Sequence, residues 1–446
     1  MRRHAWLALV ALLGGCASYQ PAPLRDAGDL LSGRDIALIS ADAAAIDRPY
    51  LTPQPIDLSQ PLTPNALAIL AVLENPDLKA LRAKSGVTDA QAFAARLLPD
   101  PSFQGSFDKL ISGPDVLNGF AAQLGIDLNM LRTRGIARRS GEASKRQVRL
   151  DLAWAEWQAA GQARLLGVRV LGLTDQLAIA RLGAASAQRL FEASSRAAGR
   201  GDIAAGDLDT RRQALLDTSD KARVAERDLV AARGELNKQL GLPPETLLRL
   251  TPDAAPVVPP SAAILVQQAL VRRLDLHALR AGYDVGEAGL HTAVLEQFPA
   301  LSLTMASARD TAGNLTVGPQ VGFTLPLWNR NRGNIAIARA TRAQLSAEYE
   351  ARLFQTRADI AAGVAGIDAA RRQRAELEKQ MPALSRYVAA TERAARRGDL
   401  APATAATAAQ AKRDRDLTLL QLDQQIAEQT IALELLTGSL SQGWTR

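Results

Sequence analysis

Leu124–Ala143 reads LGIDLNMLRTRGIARRSGEA, and Val321–Ala340 reads VGFTLPLWNRNRGNIAIARA. Each stretch opens with alternating apolar residues, passes a cluster of Arg and Asn around a Gly, and then turns helical. Period two followed by period 3.6 marks a strand running into a helix. One chain writes this junction twice, about 197 residues apart.

The rest of the chain repeats in step. NPDLKALRA at Asn75 answers RLDLHALRA at Arg273, and LLPDPSFQGSF at Leu97 answers EQFPALSLTMA at Glu296. GRGDIAAGDLD at Gly199 answers RRGDLAPATAA at Arg396, and ELNKQLG at Glu235 answers ALELLTG at Ala432. The offset stays between 197 and 200, which indicates an internal duplication and not an array of short units. The halves span about 64–242 and 260–440. Each reads as helix, strand, strand, very long helix, shorter helix.

Phe103, Gly105 and Phe107 alternate with Gln104, Ser106 and Asp108, and Leu124, Ile126 and Leu128 with Gln123, Gly125 and Asp127. Leu301, Leu303 and Met305, then Val321, Phe323, Leu325 and Leu327, do the same in the second half. The expected strands are about 101–110, 120–131, 299–308 and 318–328. Between Pro114 and Pro243, and between Pro326 and Pro382, there is no proline. From Val148 to Ala187 apolar residues step by three or four, many of them Ala, as on a closely packed coiled-coil face. Ile136 to Ala198 as one helix would run about 95 Å. Helices over about 65–98 and 203–240, stacked end to end, match it as an antiparallel partner.

The start, MRRHAWLALVALLGGCAS, has a basic n-region, a short apolar run and small residues before a cysteine. It reads as an export signal over residues 1–15, with Leu13–Cys16 resembling a bacterial lipobox. Cys16 is the chain's only cysteine and the expected lipid acceptor (palmitate included), so no disulfide can form. The alternative is an ordinary signal peptide with a chance cysteine. Ala17 and Ser18 lack the acidic residue that favours inner-membrane retention, which points to the bacterial outer membrane. Residues 16–63, rich in Pro and Asp, read as an extended tether.

Only 4% of residues are aromatic while 47% are hydrophobic, which suits Ala- and Leu-packed helices better than a globular sandwich. The net charge of +7 and pI near 9.8 do not make a nucleic-acid binder. Arg is spread along helices among Asp and Glu, with no basic block and no interleaved aromatics.

In hydrocarbon every backbone N–H and C=O must pair, so membrane β-structure has to close. Four strands cannot close, since the smallest membrane barrels have about eight. Three chains supply twelve, and two similar sectors per chain account for the duplicated junction. Arg132, Arg134, Asn329, Arg330, Arg332 and Gly333 then mark where a sheet leaves the bilayer and becomes a helical tube.

On these motifs the chain resembles the TolC family of outer-membrane efflux proteins from about Pro64 to Gly438, and LPLWNRNRGNIAIARA is especially similar to its heavy-metal and drug efflux branch. The resemblance implies a mainly α fold with a trimeric 12-stranded transmembrane β-barrel and a coiled-coil tunnel. It implies a passive conduit, with no cofactor, that docks a periplasmic adaptor (membrane fusion protein) and an inner-membrane RND-type pump. The tip turns carry the adaptor contacts Gly201, Ile203, Gly398 and Leu400. The motif Arg-Gly-Asp occurs in both turns, and a helix-ending Gly with Asp capping the next helix explains it better than cell adhesion does. Family members narrow the mouth with acidic residues where this chain has Thr404 and Thr407; Asp207 and Thr210 hold the matching places after the first turn. Asp207 reads as a cation-attracting ring or as a first-turn acid favoured by its helix dipole.

An enzyme is not supported: His4, His277 and His291 are isolated, and no metal-ligand spacing, phosphate-cradling loop or nucleophile elbow occurs. Two other readings share these features. One is a lipid-anchored periplasmic coiled-coil adaptor or scaffold, which has no use for four amphipathic strands. The other is a conduit for type I protein secretion.

Overall fold

The structure, a computed structural model, describes residues 19–24, 26–31, 34–252 and 257–444. The expected signal and Cys16 lie outside the described residues. The chain divides at Asp35. Among its described residues the first unit carries one short helix, α1 (Ala27–Leu31).

The second unit begins with α2 (Ile36–Ala44) and continues in two parallel series. The first is α3 (Pro64–Glu74), α4 (Pro76–Ala94), β1 (Ser102–Asp108), β2 (Gly119–Asp127), α5 (Leu128–Gly199) and α6 (Ala205–Gln239). The second is α7 (Ala262–Arg272), α8 (Leu274–Leu295), β3 (Leu301–Arg309), β4 (Leu315–Phe323), α9 (Arg332–Arg397) and α10 (Pro402–Thr437). The duplication in the sequence is thus a duplication of structure.

The 72 residues of α5 and 66 of α9 give rods of about 108 and 99 Å. Helices this long are held by packing, because propensity alone is marginal. α5 lies against α6, and α9 against α10. Gly161 and Gly172 of α5 leave room for Leu435 and Gln424 of α10, and Gly167 for Leu67 of α3. α9 continues through Pro382, which is exposed.

Four expectations change. The helix over 65–98 is broken, because Asn75 ends α3 and caps α4, its Oδ1 accepting from Leu78 N at 3.1 Å, with Pro76 at the first helical position. β2 stops at Asp127 and not at 131, because the Asp127 carboxylate accepts from Asn129 N at 2.8 Å and starts α5 at once. Likewise β4 ends at Phe323, ahead of Pro326, and not at 328. Finally, residues 36–62 are not an extended tether: Ile39, Ala43, Ile46, Leu51, Ile56 and Leu62 are buried with α3 and α5 in one core. Leu62 pairs with the chain after α6, donating to Arg249 O at 2.8 Å and accepting from Thr251 N at 2.9 Å.

Matching ties hold both halves at this level. Asn75 Nδ2 donates to Gln239 O at 3.0 Å, closing the end of α6. In the second half Arg273 Nη1 donates to Leu436 O at 3.1 Å, closing α10. Gly241 (φ 64°) and Gly438 (φ 69°) follow those helices in the left-handed region. A side chain on Gly241 would run into the Glu74 carbonyl, so that turn admits only glycine.

Candidate functional site

The four strands form one antiparallel meander in the order β1-β2-β3-β4. Leu124 pairs with Phe103 on one side and Met305 on the other, and Phe120 with Phe107 and Arg309. Leu303 pairs with Val321, and Leu301 with Phe323. Strand alternation therefore gathers Phe103, Phe107, Phe120, Leu124, Met305 and Val321 on one face, all exposed. The other face is polar or small: Gln104, Gln123, Ala306 and Gly318 cross it in register, and Ser102, Gly125, Thr304 and Gln320 form the next row. Both outer edges, β1 and β4, are unpaired among the described residues. A sheet with a bare apolar face and two open edges is unstable in water and open to pairing.

Below the sheet, α4, α5, α8 and α9 pack side by side in the order of the strands. The two junctions do the same work with different residues. Arg134 Nη2 donates to Arg96 O at 3.0 Å, beyond the end of α4, and Arg96 pairs with Glu142. Asn331 Nδ2 donates to Ala293 O at 2.8 Å and to Glu296 Oε2 at 3.3 Å, tying α9 to the end of α8. Arg330 and Asn331 have φ of 46° and 54°, a strained left-handed pair that re-aims the chain into α9. Arg132 bonds Asn129 at 2.5 Å, while Asn329, Arg332 and Gly333 are exposed at the start of α9.

At the far ends the tip turns superimpose in pattern. Gly201 (φ 78°) and Gly398 (φ 84°) end α5 and α9. Asp202 N donates to Ala197 O at 2.9 Å and Asp399 N to Ala394 O at 3.0 Å, the six-to-one bond of a Schellman turn. The expected capping by the two Asp is not what occurs. Asp202 Oδ2 accepts from Arg200 Nε and Asp399 Oδ2 from Arg397 Nε, each at 2.8 Å, while Ala204 and Ala401 precede the next helices without a side-chain cap. The Arg-Gly-Asp triplet is thus a closed clip. Ile203 and Leu400 are half-buried beside it. Thr210 and Thr407 each bond back one turn, to Gly206 O at 2.9 Å and Ala403 O at 3.0 Å. Asp207 and Thr404 are exposed in their first turns.

A buried acid that the sequence reading did not single out organises the middle. Glu156, 3% exposed, accepts from Arg48 (2.6 and 3.1 Å) and Arg82 (2.7 and 3.1 Å). Burial pushes its carboxyl up, but the two guanidiniums outweigh that and hold it below the ordinary range. An acid between Trp154 and Trp157 in an Ala-rich helix was the available signal. Among the described residues there is no group of three His, Cys, Asp or Glu able to hold a metal ion, and His277 is engaged with Val271 O at 2.8 Å.

Fold and site together define a class: paired coiled-coil hairpins, twice over, hung from a two-faced sheet. Residues 265–439 match the family described as outer membrane efflux protein. The cobalt-zinc-cadmium resistance protein CzcC of Cupriavidus metallidurans is 25% identical over 295 residues, 65% of this chain and 69% of CzcC. The fold is that of CusC (TM-score 0.67, 18% identity, 88% of this chain and 98% of CusC). It is also that of the Campylobacter jejuni outer membrane channel CmeC (TM-score 0.70, 14% identity, 84% and 85%). Residues 265–439 thus match the outer membrane efflux proteins, and the chain has the fold of outer membrane channels.

Proposed function

We propose that three copies close their sheets edge to edge, β4 of one on β1 of the next, into a 12-stranded barrel continued by a helical tunnel. The observation that carries this is the sheet itself: an exposed apolar face on all four strands, a polar opposite face, and two unpaired edges. Closure pairs both edges, and lipid accepts the apolar face. The polar face then lines a water-filled passage with no chemistry of its own. The protein is a passive outer-membrane conduit of a tripartite efflux system, fed by an inner-membrane RND-type pump through a periplasmic adaptor, and anchored through lipid on Cys16. The two repeats, residues 64–242 and 260–440, are its two sectors per protomer. Metal ions, drugs or other small molecules are its substrates, and likeness to a cobalt-zinc-cadmium resistance protein favours metal ions. The exposed sheet disfavours the coiled-coil scaffold. The test is migration of outer-membrane fractions without boiling: a heat-modifiable trimer is expected, and a monomer alone rejects the conduit.

The tips are the proposed adaptor contacts, through Gly201, Ile203, Gly398 and Leu400, with Asp207, Thr210, Thr404 and Thr407 at the mouth. Both glycines have positive φ and open space around them, so a side chain there strains the turn without meeting a neighbour. The double variant Gly201→Val/Gly398→Val is expected to lose most adaptor copurification while the trimer persists. Undiminished copurification removes these turns from the contact.

A further inference from the structure

Beneath the sheet lies a charge pattern that conduction does not explain. Arg138, Arg139, Arg332 and Arg339 are exposed, and their side chains have no hydrogen-bond or ion-pair partner among the described residues. Their neighbours are engaged: Arg146 with Asp284, Lys145 and Arg149 with Asp89, Arg342 with Glu287. Other exposed guanidiniums along the rods, among them Arg169, Arg196, Arg357 and Arg372, are also without such a partner, but these four lie within about three turns of the sheet. In a supercoiled helix every seventh residue keeps one side. Leu67 of α3 lies against Gly167, and counting back by sevens gives Ala160, Ala153, Arg146, Arg139 and Arg132. Leu128, Arg132 and Arg139 share a stripe, as do Leu131 and Arg138, so the basic side continues from the apolar residues that follow Ile126. The opposite side of the same turns carries Thr133, Ala137, Ser140, Ser144 and Val148, together with Arg134, which is engaged at Arg96 O. In the second half, exposed Leu327 and Trp328 precede Arg332 and Arg339, which are a heptad apart. An exposed Trp above Arg is the order found at a membrane interface.

We propose that this stripe is a docking surface for anionic phospholipid headgroups, recruiting them around the barrel in preference to zwitterionic ones. The inference rests on the barrel reading above. Arg138 and Arg139 lie about 15 Å along α5 from its start, and their long side chains reach back toward the headgroups. Guanidinium pairs with phosphate in a bidentate fork, and the nearby acids Glu142 and Glu296 are engaged by Arg96 and Asn331, which leaves the forks free. Each basic residue near an anionic surface favours binding by about fivefold. Three protomers repeat the stripe around the ring.

The test reconstitutes the full-length protein in nanodiscs of phosphatidylcholine with a minority of phosphatidylglycerol, and measures the lipids retained on the trimer. Wild type is expected to hold phosphatidylglycerol several-fold above the bulk ratio, less so in high salt. The triple variant Arg138→Gln/Arg139→Gln/Arg339→Gln should return to the bulk ratio, while the corresponding triple Lys variant keeps most of the enrichment. A bulk ratio around wild type, or undiminished enrichment around the Gln variant, overturns the inference alone. A protein that stays out of the nanodisc overturns the barrel reading and this inference with it.

Discussion

Leu124→Arg is expected to remove the proposed trimer from the outer membrane. Leu124 sits in the middle of β2, paired with Phe103 and Met305 on the apolar face. An Arg on the lipid face of a barrel costs about 2–4 kcal/mol at the bilayer midplane. Closure repeats the substitution in each protomer, so the assembled barrel loses about 6 kcal/mol or more. Snorkelling helps little, because a mid-strand residue is far from both interfaces. Gln123→Arg is the paired control. Gln123 is the adjacent residue, opposite Gln104 and Ala306, on the polar face. That variant should still give the heat-modifiable trimer in normal amount. Equal trimer from both variants would mean that the two faces are not in different solvents.

How much of this was legible in the sequence follows from which signals are local. The duplication, the four strands and the tip turns rest on short-range patterns, alternation and Gly at a fixed place, and those survive translation into structure. The boundaries were harder. Leu128 and Met130 extend the apolar alternation of β2, so the pattern alone runs the strand to about 131; only the capping bond of Asp127 decides for helix. Asn75-Pro76 carried the signature of a helix start inside a stretch read as one helix. The N-terminal segment misled by composition: its prolines suggest a tether, yet Ile39, Ala43, Ile46, Leu51, Ile56 and Leu62 find places in the core. Least legible was sidedness. That β2 pairs with β3, joining the halves into one two-faced sheet, is a long-range fact no local window contains.

Loss of the Glu156 carboxylate is expected to free the N-terminal segment from the rod. Arg48 belongs to that segment, Arg82 to α4 and Glu156 to α5, so one buried acid joins three pieces of chain. Removing one member of a buried ion pair costs about 3–5 kcal/mol. Arg48 and Arg82 are each about a third exposed and can turn to water when the acid is gone, which places Glu156→Ala near 2–3 kcal/mol. The effect is local: hydrogen exchange over residues 36–62 should accelerate by about thirtyfold or more, with the tip helices unaffected. Acid should do the same to the wild type. Because the folded carboxyl lies below its unfolded range of about 4.3, its contribution is complete above that pH. That contribution disappears as pH falls through the lower folded value. Glu156→Gln, neutral at every pH, should show weaker protection at pH 7 and little further change on acidification. Wild-type protection that is insensitive to acid, or an alanine variant as protected as wild type, would show that the segment is held by its apolar contacts alone.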